Sequence, residues 1–168
     1  MNLFLLRHGE AGKRMTAMLR DRERPLTVAG REELKRIGGA LRASGFEFDL
    51  VASSPLKRAK DSATIVGGAM KLKREVEEWA ELSPEGSREV LYMRLAKLNP
   101  DISVLCVGHE PYLATVIGDV TGREEGSTGF RIALRKGGLA KVTITGFSPR
   151  VTGELRWLLT PKQIRKMA

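Results

Sequence analysis

Cysteine is nearly missing from this chain: Cys106 is the single one in 168 residues. One thiol cannot build an internal disulfide framework, which fits a reducing compartment, and its apolar setting in "SVLCVGHE" reads as that of a small buried hydrophobe. Aromatic residues are sparse as well, with five Phe, two Trp and two Tyr scattered along the sequence. That spread argues against the base-stacking platform of a single-stranded nucleic-acid binder. No apolar run approaches the ~20 residues of a membrane span. The opening apolar stretch meets Arg7 and His8 at once, without the architecture of a cleavable signal. The expectation is a cytoplasmic protein that engages neither membrane nor nucleic acid.

Acidic residues are in the minority. Lys and Arg number 29 against 20 Asp and Glu, giving a formal charge of +9 and a pI near 10.1. This balance favours anionic partners, although the cations are distributed rather than packed in one stripe, and a merely solubilising surface accounts for it equally well. With 42% hydrophobic and 29% charged residues, the composition is that of an ordinary globular protein. The length suits one domain with a real core and is short for two, so residues 1–168 are read as a single domain.

The pattern along the chain alternates. Asn2 to Leu6 reads as a short buried strand, and the charged stretch from Glu10 to Thr27 as a long loop, a length that points to function. Thr27 can cap a helix whose apolar positions Val28, Leu34, Ile37 and Leu41 share a face, and Gly45 closes it. "FDLVASSP" is a second buried strand, leading to a helix from Pro55 to Met70 that Ser54 can cap. A weaker strand at Lys73 to Val76 precedes a helix expected from Ser83-Pro84 to Leu98. "ISVLCVGHE" repeats the opening design, and Pro111 starts a further helix that ends near Gly118 or Val120. Residues 130–135, 139–147 and 153–159 have the look of short hairpin strands. The basic "TPKQIRKMA" reads as a solvated final turn or frayed end, with a docking tail as the other option. These elements predict a three-layer α/β/α sandwich around a mixed, mostly parallel sheet.

In open sheets of this kind ligands sit beyond the carboxyl ends of the parallel strands. Three such ends carry polar clusters: Arg7-His8-Gly9, Ser53-Ser54-Pro55 with Arg58, and Gly108-His109-Glu110. Both histidines of the chain therefore fall on one edge. Neutral imidazole is a competent nucleophile toward phosphorus, and its phosphoramidate is labile to water. Phosphoryl transfer otherwise needs positioning and positive donors, which Arg7, Arg58 and His109 can supply; arginine suits this because its planar fork stays charged. A zinc site using His8 and His109 lacks a third ligand at recognisable spacing and would face repulsion from the arginines, so no metal or cofactor is expected.

"LRHGEA", "SSPLKRAKDSA" and "VGHEP", in that order, resemble the histidine phosphatase superfamily, with its phosphoglycerate mutase-like fold. "RPLTVAG", "ELSP" and the short length are similar to its SixA-like phosphohistidine phosphatase branch. The resemblance implies that His8 is the phosphorylated nucleophile, and that Arg7, Arg58 and His109 form the phosphate pocket around it. Gly9 would allow a tight turn beside His8. Many relatives protonate the leaving group with an acid. Glu81 lies at the place in the chain where one is sought, and Glu10 and Glu110 are further candidates. Between Arg58 and His109 there is no room for a large lid insertion. An open pocket suits phosphohistidine on a protein and would also admit small phosphoesters; a broad phosphomonoesterase and a non-catalytic basic binding protein are the alternatives.

Overall fold

The computed structural model describes residues 1–13, 21–122 and 132–167. Its elements in chain order are β1 (Asn2–Arg7), α1 (Val28–Ala43), β2 (Leu50–Ser53), α2 (Lys57–Met70), β3 (Val76–Glu78), a 3-10 turn (Ala80–Leu82), α3 (Arg88–Leu95), β4 (Ser103–Gly108), α4 (Tyr112–Val120), β5 (Leu139–Gly146), β6 (Thr152–Leu159) and α5 (Pro161–Ile164). The six strands form one sheet in the order β3-β2-β4-β1-β5-β6. The β3-β2, β2-β4 and β4-β1 pairs are parallel, while β5 runs antiparallel to β1 and β6 antiparallel to β5.

Alternation along the central strands divides the core in two, because successive side chains of a strand point to opposite faces. Leu3, Leu5, Val104 and Cys106 pack with Leu91, Leu95, Leu113 and Val116 of α3 and α4. Phe4, Leu6, Leu105 and Val107 pack with Leu34, Ile37, Ala63 and Val66 of α1 and α2. Helices thus cover both faces of a mixed sheet, the expected three-layer α/β/α, phosphoglycerate mutase-like architecture. Cys106 is fully buried, and burial pushes its thiol pKa upward. Between α2 and β4 the chain holds only β3, the 3-10 turn and α3, so no large insertion stands over the sheet edge. Among the described residues, no helix is long and apolar enough to cross a membrane.

Several boundaries differ from the sequence expectation. The helix expected from Ser83 starts only at Arg88, because Ser87 accepts the Val90 N–H and is the true cap. Gly86 explains the delay: a Cβ there would stand 2.1 Å from the Glu81 carbonyl oxygen, so this segment folds back on the 3-10 turn. The weak strand is displaced from 73–76 to Val76–Glu78. Residues 132–135 run outside the sheet, and the rest of the strand expected at 130–135 lies outside the described residues, as do 14–20 of the long loop. The C-terminal segment is not frayed, since Thr160 and Gln163 form a capping box and Ile164 is fully buried. The scattered aromatics also converge, with Phe4 touching Phe46, Phe48 and Trp157 at ring distances of 5.0–6.0 Å, as core packing.

Candidate active site

The parallel strands deliver their carboxyl ends to one edge and lock them together there. The His8 N–H donates to the Gly108 carbonyl at 3.0 Å, the Ser54 N–H to Val107 at 3.0 Å, and the Gly137 N–H is shared between the Arg7 and His8 carbonyls at 3.0 and 3.2 Å. Each backbone bond joins residues distant in sequence. His8 and His109 are held as neighbours, their ring centroids 5.1 Å apart with the planes at 55°. Both rings are buried, as are Arg58 and Ser54.

His8 is oriented by its own turn. Its Nδ1 lies 2.7 Å from the Gly9 carbonyl oxygen, which can only accept, so Nδ1 carries the proton and the Nε2 lone pair is left free for chemistry. Gly9 is needed for space: its φ is not positive, and a Cβ would stand 2.6 Å from Leu34 Cδ1. The Gly9 N–H donates to Ser62 Oγ at 3.1 Å, and that hydroxyl donates to the Arg58 carbonyl at 2.5 Å. Ser62, one turn along α2 and fully buried, thus couples the His8 turn to the Arg58 helix.

His109 is oriented by Ser54. The Ser54 Oγ lies 2.9 Å from His109 Nε2 and accepts the Leu56 N–H at 3.3 Å. A fully buried hydroxyl must also place its proton, and His109 Nε2 is the remaining acceptor. The Ser54 O–H therefore donates to Nε2, which puts the ring proton on Nδ1. That Nδ1 is buried with no partner among the described residues, an unused donor beside His8.

Three guanidinium groups surround the pair. Arg7 Nη1 donates to the Leu134 carbonyl at 2.9 Å, and its Nε is buried without a partner among the described residues. Arg58 Nη1 donates to the Asp21 carbonyl at 2.9 Å and lies 3.3 Å from the Asp21 carboxylate. Asp21 also pairs with Arg24 Nε at 2.9 Å, and Arg24 Nη1 donates to the Gly12 carbonyl at 2.9 Å. Asp21 thereby holds two arginines together. Burial lowers the His8 pKa to about 4 against the opposing Gly9 bond, and the positive fields of Arg58, Arg7 and Arg24 lower it further. His109 is lowered by burial first, then by His8, Arg58, Arg24 and Arg7. Both rings are neutral at physiological pH in a cationic pocket, an arrangement that welcomes an anion and keeps a nitrogen lone pair available.

The structure brings Arg7, His8, Arg58 and His109 together as the sequence reading expects. Sequence reasoning missed the roles of Arg24, Asp21 and Ser62 and left Ser54 between a local hydrogen bond and a helix cap; the signals were there for Arg24 in "RPLTVAG" and for Ser54 and Ser62 in "SSPLKRAKDSA", while Asp21 had none. The acid candidates separate. Glu81 is buried and its carboxylate receives the Arg94 guanidinium, which also lies 4.8 Å from the Trp79 ring centroid. Glu10 is exposed, within 3.4 Å of the Thr27 hydroxyl. Glu110 is next to His109, its pKa raised by burial and lowered in part by Arg7, with a buried Oε1 that has no partner among the described residues.

A doubly covered mixed sheet with this edge is the setting of a phosphoryl-handling enzyme, and the chain belongs to the histidine phosphatase superfamily, whose branch 1 model matches residues 3–84. Among solved structures, the protein histidine phosphatase SixA in complex with tungstate is similar at a TM-score of 0.80 and 27% identity, covering 96% of this chain and 98% of that one. The phosphohistidine phosphatase SixA homolog of Haemophilus influenzae is 28% identical over 132 residues, 73% of this chain and 79% of its own. An uncharacterized protein of Picosynechococcus sp. is 31% identical over 141 residues, 83% of this chain and 82% of its own.

Proposed function

We propose that this phosphatase removes phosphoryl groups from phosphohistidine on proteins through a covalent intermediate on His8, without a metal ion. The observation that carries the reading is the pairing of His8, its Nδ1 bonded to the Gly9 carbonyl and its Nε2 free, with a neutral His109 offering Nδ1–H. His8 Nε2 attacks phosphorus as the bond from phosphorus to the substrate's imidazole breaks. The departing imidazole takes a proton. Water then attacks phospho-His8, releasing orthophosphate and restoring the Nε2 lone pair. Arg7, Arg58, Arg24 and His109 Nδ1–H balance the charge on the transferring oxygens, which is most of what such a step requires.

Glu81 is the acid expected from its position in the chain, but its carboxylate is engaged by Arg94, and Glu110 is the better proton donor. Its elevated pKa keeps a proton to higher pH, and it is next in the chain to His109. An imidazole leaves more readily than an alkoxide, so one half-buried carboxyl suffices. The absence of a large insertion between α2 and β4 supports a substrate presented on a protein surface.

The test compares phosphate release from a phosphohistidine-bearing protein, a phosphoserine protein and sugar phosphates, all in chelator. The expected kcat/KM for phosphohistidine exceeds that for sugar phosphates by about tenfold or more, a difference of ~1.4 kcal/mol in barrier. Faster turnover of sugar phosphates would overturn the substrate assignment and favour a broad phosphomonoesterase. Activity that requires a metal would overturn the metal-free mechanism.

A further inference from the structure

A second basic feature lies beside the strand-end site. A cleft of about 580 Å³ runs between α5, α1 and the turn before β5, lined by Arg7, Arg135, Lys136, Lys162 and Arg165, with Glu33 as its carboxylate. Glu33 is already within 3.7 Å of Arg165. Arg135, Lys136 and Lys162 are exposed and form no ion pair among the described residues. Many cations elsewhere are matched, for example Arg31 with Asp61, Lys35 with Glu32 and Arg88 with Asp119. Arg135, Lys136 and Lys162 therefore bring to the cleft positive charge that no ion pair among the described residues takes up.

Its position is fixed relative to His8. The turn carrying Arg135 and Lys136 ends at Gly137, whose N–H binds the Arg7 and His8 carbonyls. Lys162 sits on α5, which is anchored by its capping box and by buried Pro161 and Ile164. These cations are thus held on a rigid frame that includes the nucleophile's own backbone. A phosphoryl group is already served by the histidines and guanidiniums of the site, so a single phosphate has no need of this cleft. A folded protein carrying the phosphohistidine does present further surface, and complementarity with Arg135, Lys136 and Lys162 requires that surface to be acidic.

We propose that this cleft docks an Asp/Glu-rich segment of the phosphorylated protein substrate, an inference that rests on the protein phosphohistidine reading. The cleft would steer and hold the substrate while the strand-end site performs the chemistry. The test is the combined variant Arg135→Ala, Lys136→Ala, Lys162→Ala, whose positions are exposed and without an ion pair among the described residues. Turnover of an aryl phosphate should be unchanged. With a phosphohistidine protein of acidic surface, KM should rise about tenfold with kcat kept, and the fall in kcat/KM with added salt should flatten relative to wild type. A fluorescent, unphosphorylated Glu-rich peptide should bind wild type and bind the variant about tenfold more weakly in anisotropy titrations.

Equal peptide binding by the two proteins would overturn the docking proposal, as would equal kcat/KM on the phosphohistidine protein. If the variant instead loses turnover of a sugar bisphosphate while peptide binding is unchanged, the cleft holds a second phosphate and the proposal fails. If wild type releases no phosphate from the phosphohistidine protein, the functional reading fails on that assay alone, and the peptide titration still decides whether the cleft receives an acidic segment.

Discussion

Replacing Ser54 with Ala removes one hydroxyl and, by the bonding at the site, frees the tautomer of His109. The hydroxyl donates to His109 Nε2 across 2.9 Å and accepts the Leu56 N–H. Its loss leaves a buried ring nitrogen unsatisfied, a cost of about 1–3 kcal/mol. With the hydroxyl gone neither an Nε2 lone pair nor an Nε2–H has a partner, so nothing fixes the proton on Nδ1 or holds the ring in place, and the Nδ1 donor is lost from part of the population. Full loss of a preorganised donor costs roughly 100- to 1,000-fold in rate. With the ring unheld and its proton unfixed, the fraction presenting Nδ1–H in place falls to about 1–10%, which puts the variant about 10- to 100-fold below wild type in kcat/KM, equivalent to ~1.4–2.8 kcal/mol. Steady-state kinetics on an aryl phosphate measure this, and nitrogen NMR of the imidazoles reads the tautomer directly. Wild type should show His109 protonated at Nδ1, with the variant shifted toward Nε2. A variant with wild-type kcat/KM, or a wild-type His109 protonated at Nε2, would refute the reasoning.

Other consequences follow from the same geometry. The folded state holds His8 at about 4 against an ordinary value of 6.5, so the unfolded chain binds that proton first as pH falls. Stability must then drop between about pH 6.5 and 4, by up to about 3 kcal/mol from His8; urea unfolding of His8→Asn should show a correspondingly shallower loss, and identical pH slopes would contradict this. Gly30→Ala adds a good helix former within α1, yet a Cβ there would stand 2.3 Å from the Glu10 carbonyl oxygen, so it should destabilise by about 1–3 kcal/mol in denaturant melts. Glu110→Gln should lower kcat for an alkyl phosphate, which needs leaving-group protonation, by roughly 10- to 100-fold while sparing a good aryl leaving group. Glu81→Gln should instead lower the melting temperature by loosening Arg94, without that leaving-group dependence.

Much of the site was legible because buried parallel strands are short, apolar and abruptly ended. Arg7-His8-Gly9 and Gly108-His109 announce themselves where β1 and β4 stop, and the alternation of elements predicts that both stops share an edge. Arg58 was legible through its place after Ser53-Ser54-Pro55. The supports were not, because their partners are remote in sequence: Ser62 meets Gly9 across 53 residues and Asp21 meets Arg58 across 37. Ser54 looked like a helix cap, whereas Leu56 stands at the N-cap position of α2 with no side-chain cap bond, and the serine hydroxyl accepts the Leu56 N–H and serves His109. Glu81 shows the reverse case, since a carboxylate singled out by its place in the chain is turned to Arg94 by tertiary packing that no local pattern encodes. The α5 cap was readable in "TPKQ", but the burial of Ile164 was not.

The central claim is a phosphoryl group carried transiently by His8. Rapid quenching in alkali during turnover of a radiolabelled phosphorylated substrate, followed by peptide mapping, tests it most directly. An alkali-stable, acid-labile label on the peptide containing His8, lost in His8→Ala together with turnover, is the predicted result. Continued turnover by His8→Ala, or a label residing on any other residue, would contradict it.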